Sequence, residues 1–150
     1  MPKANFDFSV NFNDQIKDSY KGNKILREDK FLSKKVRFSI SGSCINGRFR
    51  ISNAFSDKEI TKNLLKRLGE IEELTWSDFQ NLPHEIGWST ERGGIGNNLS
   101  WLKDKYPTYS TFGHIRVKTP KAKKIFRIFC ARKEDLVYLL EFDVNGEVNH

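Results

Sequence analysis

The sequence is poor in residues that build disulfide frameworks and zinc sites, with two cysteines and three histidines among 150 residues. A small secreted domain held together by disulfides carries more cysteines, so we expect reduced thiols, with Cys130 packed inside an apolar strand. Neither Cys44 nor Cys130 has a partner at the spacing of a zinc site. The sequence therefore predicts neither a bound metal nor a cofactor.

Long apolar runs are also missing. No run approaches the roughly 18 residues that a membrane span needs, and the opening MPKANFDFSV lacks the apolar centre of a signal peptide. We therefore expect a soluble, cytoplasmic protein without membrane contact. The glycines between residues 87 and 96 do not match GxxxxGK[ST], which argues against a phosphate-binding loop of that type.

Acidic residues are scarce in both outer thirds of the chain. The first 50 residues hold 11 lysines and arginines against 5 acidic residues, and the last 50 hold 10 against 6, whereas the middle 50 hold 5 against 8. The net charge of +7 favours contact with a polyanion such as RNA or the ribosome, although lysine-rich solvated faces are ordinary as well. The length fits a single domain over residues 1–150.

Alternating apolar and polar residues predict two strand regions in the first third of the chain. Residues 5–12 alternate phenylalanine and valine with polar residues, and residues 34–55 read as a hairpin around the turn GSCING. In that hairpin the outward face carries Arg37, Arg48 and Arg50. Like charges across strands repel, so we interpret these three arginines as contacts for nucleic acid.

Helical signals occupy the middle of the chain. Ser56 and Glu59 fit a capping box before a helix with apolar residues at helical spacing, in which Gly69 could introduce a break. A shorter helix is predicted after Thr75, ended by Pro83, and an amphipathic one over residues 97–106. We interpret these helices as scaffold.

Three further strands are predicted over residues 112–118, 125–131 and 136–142, with a short last strand over residues 147–150. The sum predicts an α+β fold: an antiparallel sheet of about five or six strands with two or three helices packed on one face. Because the helical segment is acidic and the strands are basic, we expect the other face to be solvated and positive.

The segment FRIFCARKEDLVYLLEFD, near the end of the chain, resembles the final hairpin of the RelE/ParE superfamily of bacterial toxins. The shared pattern is an arginine-bearing strand, a charged turn and a strand of the V-Y-L-L type that ends in an acidic residue. Residues 66–79, taken together with this hairpin, also resemble small bacterial proteins without an established activity. The superfamily resemblance implies a basic, cytoplasmic toxin that cleaves mRNA without a metal, often on the ribosome, and that pairs with a cognate antitoxin.

Metal-free RNA cleavage requires a base for the 2′-OH, cations for the phosphate and an acid for the leaving oxygen. The resemblance implies that the arginines of this hairpin bind the phosphate through their planar guanidinium groups and that His150 transfers a proton. It also implies that Tyr138 stacks on a base or orients the phosphate. The predicted catalytic residues are Arg127, Arg132, Tyr138 and His150. Further nucleic-acid contacts are predicted at Arg116, Lys118 and Lys133.

Other interpretations stay open for these residues. Arg127 could form a salt bridge with Glu141 or Asp143, Tyr138 could pack as an ordinary aromatic residue, and His150 could fray. A metal nuclease would need a ligand set drawn from His84, Glu85, Glu141, Asp143 and His150, for which the spacing gives no support. The alternative function is a non-enzymatic nucleic-acid- or protein-binding module, with exposed aromatic residues on the sheet stacking on bases.

Overall fold

Five strands form one mixed sheet in the computed structural model, which describes residues 31–83, 85–91, 96–119 and 125–148. The order across the sheet is β1-β5-β4-β3-β2, and β1 runs parallel to β5 while the other pairs are antiparallel. The α+β class is confirmed, and the expectation of an antiparallel sheet throughout is wrong at this edge. The strands are β1 Arg37–Ser39, β2 Ser89–Glu91, β3 Phe112–Val117, β4 Phe126–Lys133 and β5 Leu136–Asp143.

The three long strands near the C-terminus are confirmed close to their predicted bounds. Most residues of β3, β4 and β5 are buried, which explains why their sequences read as nearly continuous apolar runs. Cys130 is fully buried inside β4, as predicted. The predicted last strand is not found in residues 147–148, and its final two residues lie outside the described part, as do the predicted strand over residues 5–12 and His84.

A register shift interrupts the pairing of β4 with β5. The pairs pass from Phe129–Glu141 to Cys130–Leu139, so that Leu140 has no partner in the ladder. Such a bulge places two consecutive residues on one side of the sheet. Leu140 and Glu141 accordingly both contact the layer that contains Phe129 and the third helix.

The predicted hairpin over residues 34–55 is wrong. Only β1 is a strand, and the chain then follows the edge of β5: Cys44 N–H donates to the Leu140 carbonyl at 2.9 Å, and Phe142 N–H donates to the Phe49 carbonyl at 2.8 Å. In these bonds the backbone of Cys44 and Phe49 pairs with β5, whereas a hairpin would have paired the two halves of the segment with each other. The segment ends in a 3₁₀ helix, Ile51–Phe55, so Arg37, Arg48 and Arg50 do not share a sheet face.

Three α-helices follow β1 in the described structure: α1 Lys58–Glu72, α2 Trp76–Asn81 and α3 Gly96–Lys105. The N-cap of α1 is Asp57, whose carboxylate accepts from Glu59 N–H at 2.8 Å and Ile60 N–H at 3.2 Å. Ser56 instead donates to the Asn53 carbonyl, which corrects the predicted capping box. Gly69 lies within α1 without ending it, and Thr75 caps α2 as predicted.

One short strand was missed. Residues 89–91, which pair with β3 as β2, were not among the predicted strands. Trp88, just before β2, lies so close to Gly113 that a Cβ atom there would meet the indole at 2.4 Å. Gly113 thus lets an aromatic side chain pack against the backbone of β3, a contact that periodicity does not reveal.

Helices cover both faces of the sheet. On one face α1 and α2 contribute Leu64, Ile71, Trp76 and Phe79 to a buried cluster, and on the other α3 contributes Leu102. The aromatic residues around α3 pack on Phe129 and Leu140. The expectation of helices on one face and a solvated, basic second face is therefore wrong, because the amphipathic segment before Pro107 covers that second face. No helix among the described residues is long and apolar enough to cross a bilayer.

Candidate nucleic-acid interface

The functional candidates fall at two opposite ends of the sheet. The end that carries the β4–β5 turn, with Arg37, Arg132 and Asp135, is called the turn end. The other end carries the cross-strand row Arg116–Arg127–Asp143 and is called the open end. Tyr138 and Lys133 lie toward the turn end, because Tyr138 pairs with Ala131 and Lys133 pairs with Leu136.

At the turn end Arg37 is held by the protein itself. Its Nε donates to the Asp135 carboxylate at 2.9 Å, and its backbone N–H donates to the Asp135 carbonyl at 3.1 Å. The same carbonyl accepts from Trp76 Nε1 at 3.0 Å. Burial raises the pKa of Asp135, but the hydrogen bonds from Arg37 and the backbone, with the charges of Arg37 and Lys34, outweigh it and lower that pKa.

Arg132 is part of the packing at the turn end. Its guanidinium lies 4.5 Å from the centre of the Phe31 ring and 5.2 Å from that of Trp76. Both rings belong to the buried cluster beneath α1 and α2. Tyr138 belongs to the opposite layer, where its ring lies 5.0 Å from that of Tyr109. These contacts stabilise the fold, and they place Arg132 and Tyr138 on different faces of the sheet.

At the open end Arg127 lies opposite Asp143, one of the two acidic neighbours predicted from the sequence. Its Nη1 donates to the Val148 carbonyl at 3.1 Å. Asp143 is fully buried and accepts from the backbone N–H groups of Glu147 and Val148 at 2.8 and 2.9 Å. Together Arg127 and Asp143 fix the chain that leaves β5.

A cavity of about 260 Å³ beside this row is rich in cations, and we call it the cation pocket. Residues 63, 66, 67 and 70 form one face of α1, at helical spacing, and the end of β3 supplies Arg116 and Lys118. Four cations face two carboxylates here. The lining residues are Asn63, Lys66, Arg67, Glu70, Glu85, Ile86, Arg116 and Lys118.

Two guanidinium nitrogens in the cation pocket are buried without a hydrogen-bond partner among the described residues. They are Nε of Arg116 and Nη2 of Arg67. The Arg67 side chain is only 16% exposed, and its other terminal nitrogen lies 3.6 Å from Glu70, beyond ordinary hydrogen-bond length. An unsatisfied buried donor costs about 1–3 kcal/mol, which an anion in the pocket would recover.

A second cavity, of about 320 Å³, lies on the other side of the row, between the start of α1 and the end of β5; we call it the polar pocket. Arg48 donates from Nε to Glu147 at 2.8 Å and covers the Phe49 ring at 5.2 Å. Asn53 donates from its side chain to the Arg48 carbonyl at 2.7 Å. The polar side chains of its lining are those of Arg48, Asn53, Ser56, Asp143, Asn145 and Glu147.

A buried polar cluster holds α3 to the bulge of β5. Glu141 is 1% exposed, pairs with Lys105 and accepts from the Tyr106 hydroxyl at 3.1 Å. Burial, reinforced by Glu141, raises the pKa of the Cys44 thiol to about 12 and also raises the pKa of Tyr106. A thiol that stays protonated is a poor nucleophile, so this cluster joins α3 to the sheet and gives no indication of covalent catalysis.

The structure does not gather the four predicted catalytic residues. Arg127 and Arg132 are five positions apart on one strand, so their side chains lie on opposite faces. Tyr138 lies toward the turn end, and His150 lies outside the described residues. Across the described part of the chain, no three His, Cys, Asp or Glu side chains form a group that would hold a metal ion.

The predicted nucleic-acid contacts divide between the two ends. Arg116 and Lys118 line the cation pocket, while Arg48 lines the polar pocket and Arg50 is exposed beside it. At the opposite end, Arg37 is paired with Asp135 and Lys133 is exposed. Lys66 and Arg67 were not predicted, because in the sequence they belong to an ordinary polar helix face.

The sequence matches no family model, and no match was found among curated proteins or among solved structures. The resemblance of the terminal hairpin to the RelE/ParE superfamily therefore stays a prediction.

Proposed function

We propose that this protein is a non-enzymatic nucleic-acid-binding module that holds the phosphate backbone of RNA at the open end. The observation that supports this most is the pair of buried, unpartnered guanidinium nitrogens in the cation pocket. A guanidinium fork matches phosphate oxygens, and both Arg67 and Arg116 present donors there. A cytoplasmic location belongs to the same proposal.

The dimensions of the pocket favour a phosphate group of a polymer over a whole small molecule. Its volume of about 260 Å³ falls below the range of about 300 to 1,000 Å³ that is usual for pockets enclosing small ligands. Arg48, which lines the polar pocket, and the exposed Arg50 add further positive charge. With a net charge of +7, these cations suit a ligand with repeated negative charges.

Fluorescence anisotropy with a labelled single-stranded RNA tests the proposal. Binding should weaken linearly in a plot of log affinity against log salt, because each phosphate contact releases counterions. The double variant Arg116→Ala/Lys118→Ala should reduce that slope by about 1.4, since each contact with a single strand contributes about 0.7. Lys133→Ala, which removes an exposed cation at the turn end, is the control and should leave the slope unchanged.

Unchanged salt dependence in the double variant, or an equal loss in Lys133→Ala, would overturn this assignment. Absence of RNA binding by the wild-type protein at low salt would overturn the proposed function itself. Circular dichroism of each variant confirms that the fold is retained, so that a loss of binding reports on the removed charges.

A metal-independent endoribonuclease of RelE/ParE type is the second candidate. One observation favours it: Arg127 lies in strand register between Arg116 and Asp143, on the row that separates the two pockets, where it could contact the same RNA backbone. Incubating RNA with the protein in the presence of EDTA tests this candidate. Cleavage that is lost in Arg127→Ala and His150→Ala would support it, and intact RNA would count against it.

If the protein is a toxin, its expression should arrest bacterial growth and a cognate antitoxin should relieve the arrest. We propose that such a partner would cover the open end, because the sheet faces are already covered by helices. Growth arrest relieved by Arg127→Ala would support this assignment. Normal growth with wild-type expression would contradict it.

A further inference from the structure

The polar pocket presents mainly hydrogen-bond acceptors, which suits a ligand that carries donor groups. Glu147 uses one carboxylate oxygen for Arg48, while an ionised carboxylate can accept about four hydrogen bonds. Asn53 donates from its amide nitrogen, which leaves its amide oxygen as an acceptor. Ser56 donates to the Asn53 carbonyl and keeps its oxygen lone pairs. The cavity also holds donors, on the terminal nitrogens of Arg48 and the amide nitrogens of Asn53 and Asn145, but the acceptor sites of Glu147, Asp143, Asn53, Asn145 and Ser56 outnumber them.

The two pockets are spaced for neighbouring parts of one nucleic-acid strand. Along α1, Ile60 of the polar pocket and Arg67 of the cation pocket are separated by about 10 Å at 1.5 Å per residue. Across the sheet, Asp143 and Arg116 are two strands apart, again about 10 Å. At about 3.4 Å per nucleotide in a stacked strand, and more in an unstacked one, this distance corresponds to at most about three nucleotides.

We propose that the polar pocket receives a nucleobase that carries an exocyclic amino group, on a single-stranded RNA whose backbone lies in the cation pocket. This inference rests on the proposed function and adds base selectivity to it. Cytosine and adenine present amino groups that a carboxylate or amide oxygen accepts, whereas uracil presents a carbonyl oxygen at the corresponding position. That oxygen would face Glu147 and Asn53 and be repelled.

A base is the better occupant than a sugar hydroxyl. The cavity of about 320 Å³ has room for a planar ring, and a 2′-OH needs no cavity of this depth. The lining also includes Ile60, Phe142 and Val144, apolar side chains against which a ring can pack. Single-stranded RNA is the matching form, because its unstacked bases expose the edges that pairing hides in a duplex.

Binding of short cytidine, adenosine and uridine homopolymers to the whole protein tests the proposal. The cytidine and adenosine oligomers should bind about fivefold or more tightly than the uridine oligomer, the low end of what a good base contact contributes. Glu147→Gln should remove this preference, since an amide can donate to the uracil carbonyl. Glu147 is exposed enough for the variant to fold, with a side chain that is 38% accessible.

The design separates base recognition from simple charge. Losing a negative charge near a polyanion should tighten binding of all three oligomers alike, so only base recognition removes the differences among them. Glu73→Gln is the matched control, because Glu73 is also an exposed glutamate paired with a cation, Lys35 at 3.4 Å, but lies outside both pockets. This control should keep the preference intact.

A deoxycytidine oligomer completes the experiment and should retain the advantage over deoxyuridine. If that advantage requires ribose, the pocket recognises the sugar and the inference is overturned. Equal, salt-dependent binding of all homopolymers would overturn the inference and leave the proposed function standing. No binding of any oligomer would instead overturn the proposed function.

Discussion

The two ends of the sheet use arginine in different ways. At the turn end, Arg37 is paired with Asp135 and Arg132 is stacked on Phe31 and Trp76. At the open end, Arg67 and Arg116 hold buried nitrogens without a partner among the described residues. The difference is that the guanidinium groups at the turn end contact other side chains of the fold, whereas those at the open end keep donors that the described residues do not use.

Arginine-to-methionine substitutions measure this difference directly, because methionine keeps much of the side-chain length and removes the charge. The largest effect is expected at the turn end. Arg132→Met should lower the free energy of unfolding by about 2 kcal/mol, the value of a cation–π contact shielded from water. Urea unfolding followed by circular dichroism measures it, with Lys133→Met as the exposed control on the same strand. A loss below about 0.5 kcal/mol would contradict the structural role of Arg132.

Asp135→Asn should have a smaller effect with a distinct pH dependence. Asp135 has a lowered pKa, so its ion pair stabilises the protein above the ordinary value of 3.8, and this stabilisation is lost as the pH falls through the folded pKa. Because the Arg37 side chain is 66% exposed, we expect a cost of about 1 kcal/mol at neutral pH. Urea unfolding at neutral pH and below pH 4 measures the difference between the wild-type protein and the variant.

That difference should shrink below about pH 4, since protonated Asp135 resembles asparagine. A difference that stays constant with pH would show that the carboxylate charge contributes nothing at the turn end. The structural role of the turn end would then rest on Arg132 alone.

Arg116→Met should have the smallest effect on stability, and the change should be a slight gain instead of a loss. Removing a buried donor that has no partner relieves its desolvation cost, so the free energy of unfolding should stay the same or rise by about 0.5 kcal/mol. The same urea experiment checks this, beside Arg37→Met, which should be destabilising. A clear loss of stability in Arg116→Met would mean that this guanidinium serves the fold.

The elements that the sequence predicts well are those whose neighbours are close along the chain. The β4–β5 hairpin needs only two apolar runs and a tight turn, and α2 needs only its cap at Thr75. The parallel pairing of β1 with β5 joins residues about 100 positions apart, and no local pattern indicates it. The hairpin prediction over residues 34–55 was wrong because the alternating residues there do not pair with each other; the segment runs along the edge of β5 and bonds to its backbone instead.

The site was predictable only in part for the same reason. Arg116 and Lys118 stand out because they interrupt or follow an apolar strand. Lys66 and Arg67 lie on a helix whose polar residues look like an ordinary solvated face, and only the packing of α1 beside β3 turns them toward Arg116. Whether an arginine has a partner depends on such tertiary contacts, which the spacing of residues along the chain does not predict.

The central claim is that RNA contacts the open end and leaves the turn end alone. The most direct measurement follows the arginine Nε–Hε resonances by nitrogen-15 NMR while single-stranded RNA is added. We predict that the Arg116 resonance shifts as its unpartnered Nε–H gains a phosphate, while those of Arg37 and Arg132 stay in place. Shifts at Arg37 or Arg132 with no change at Arg116 would contradict the account.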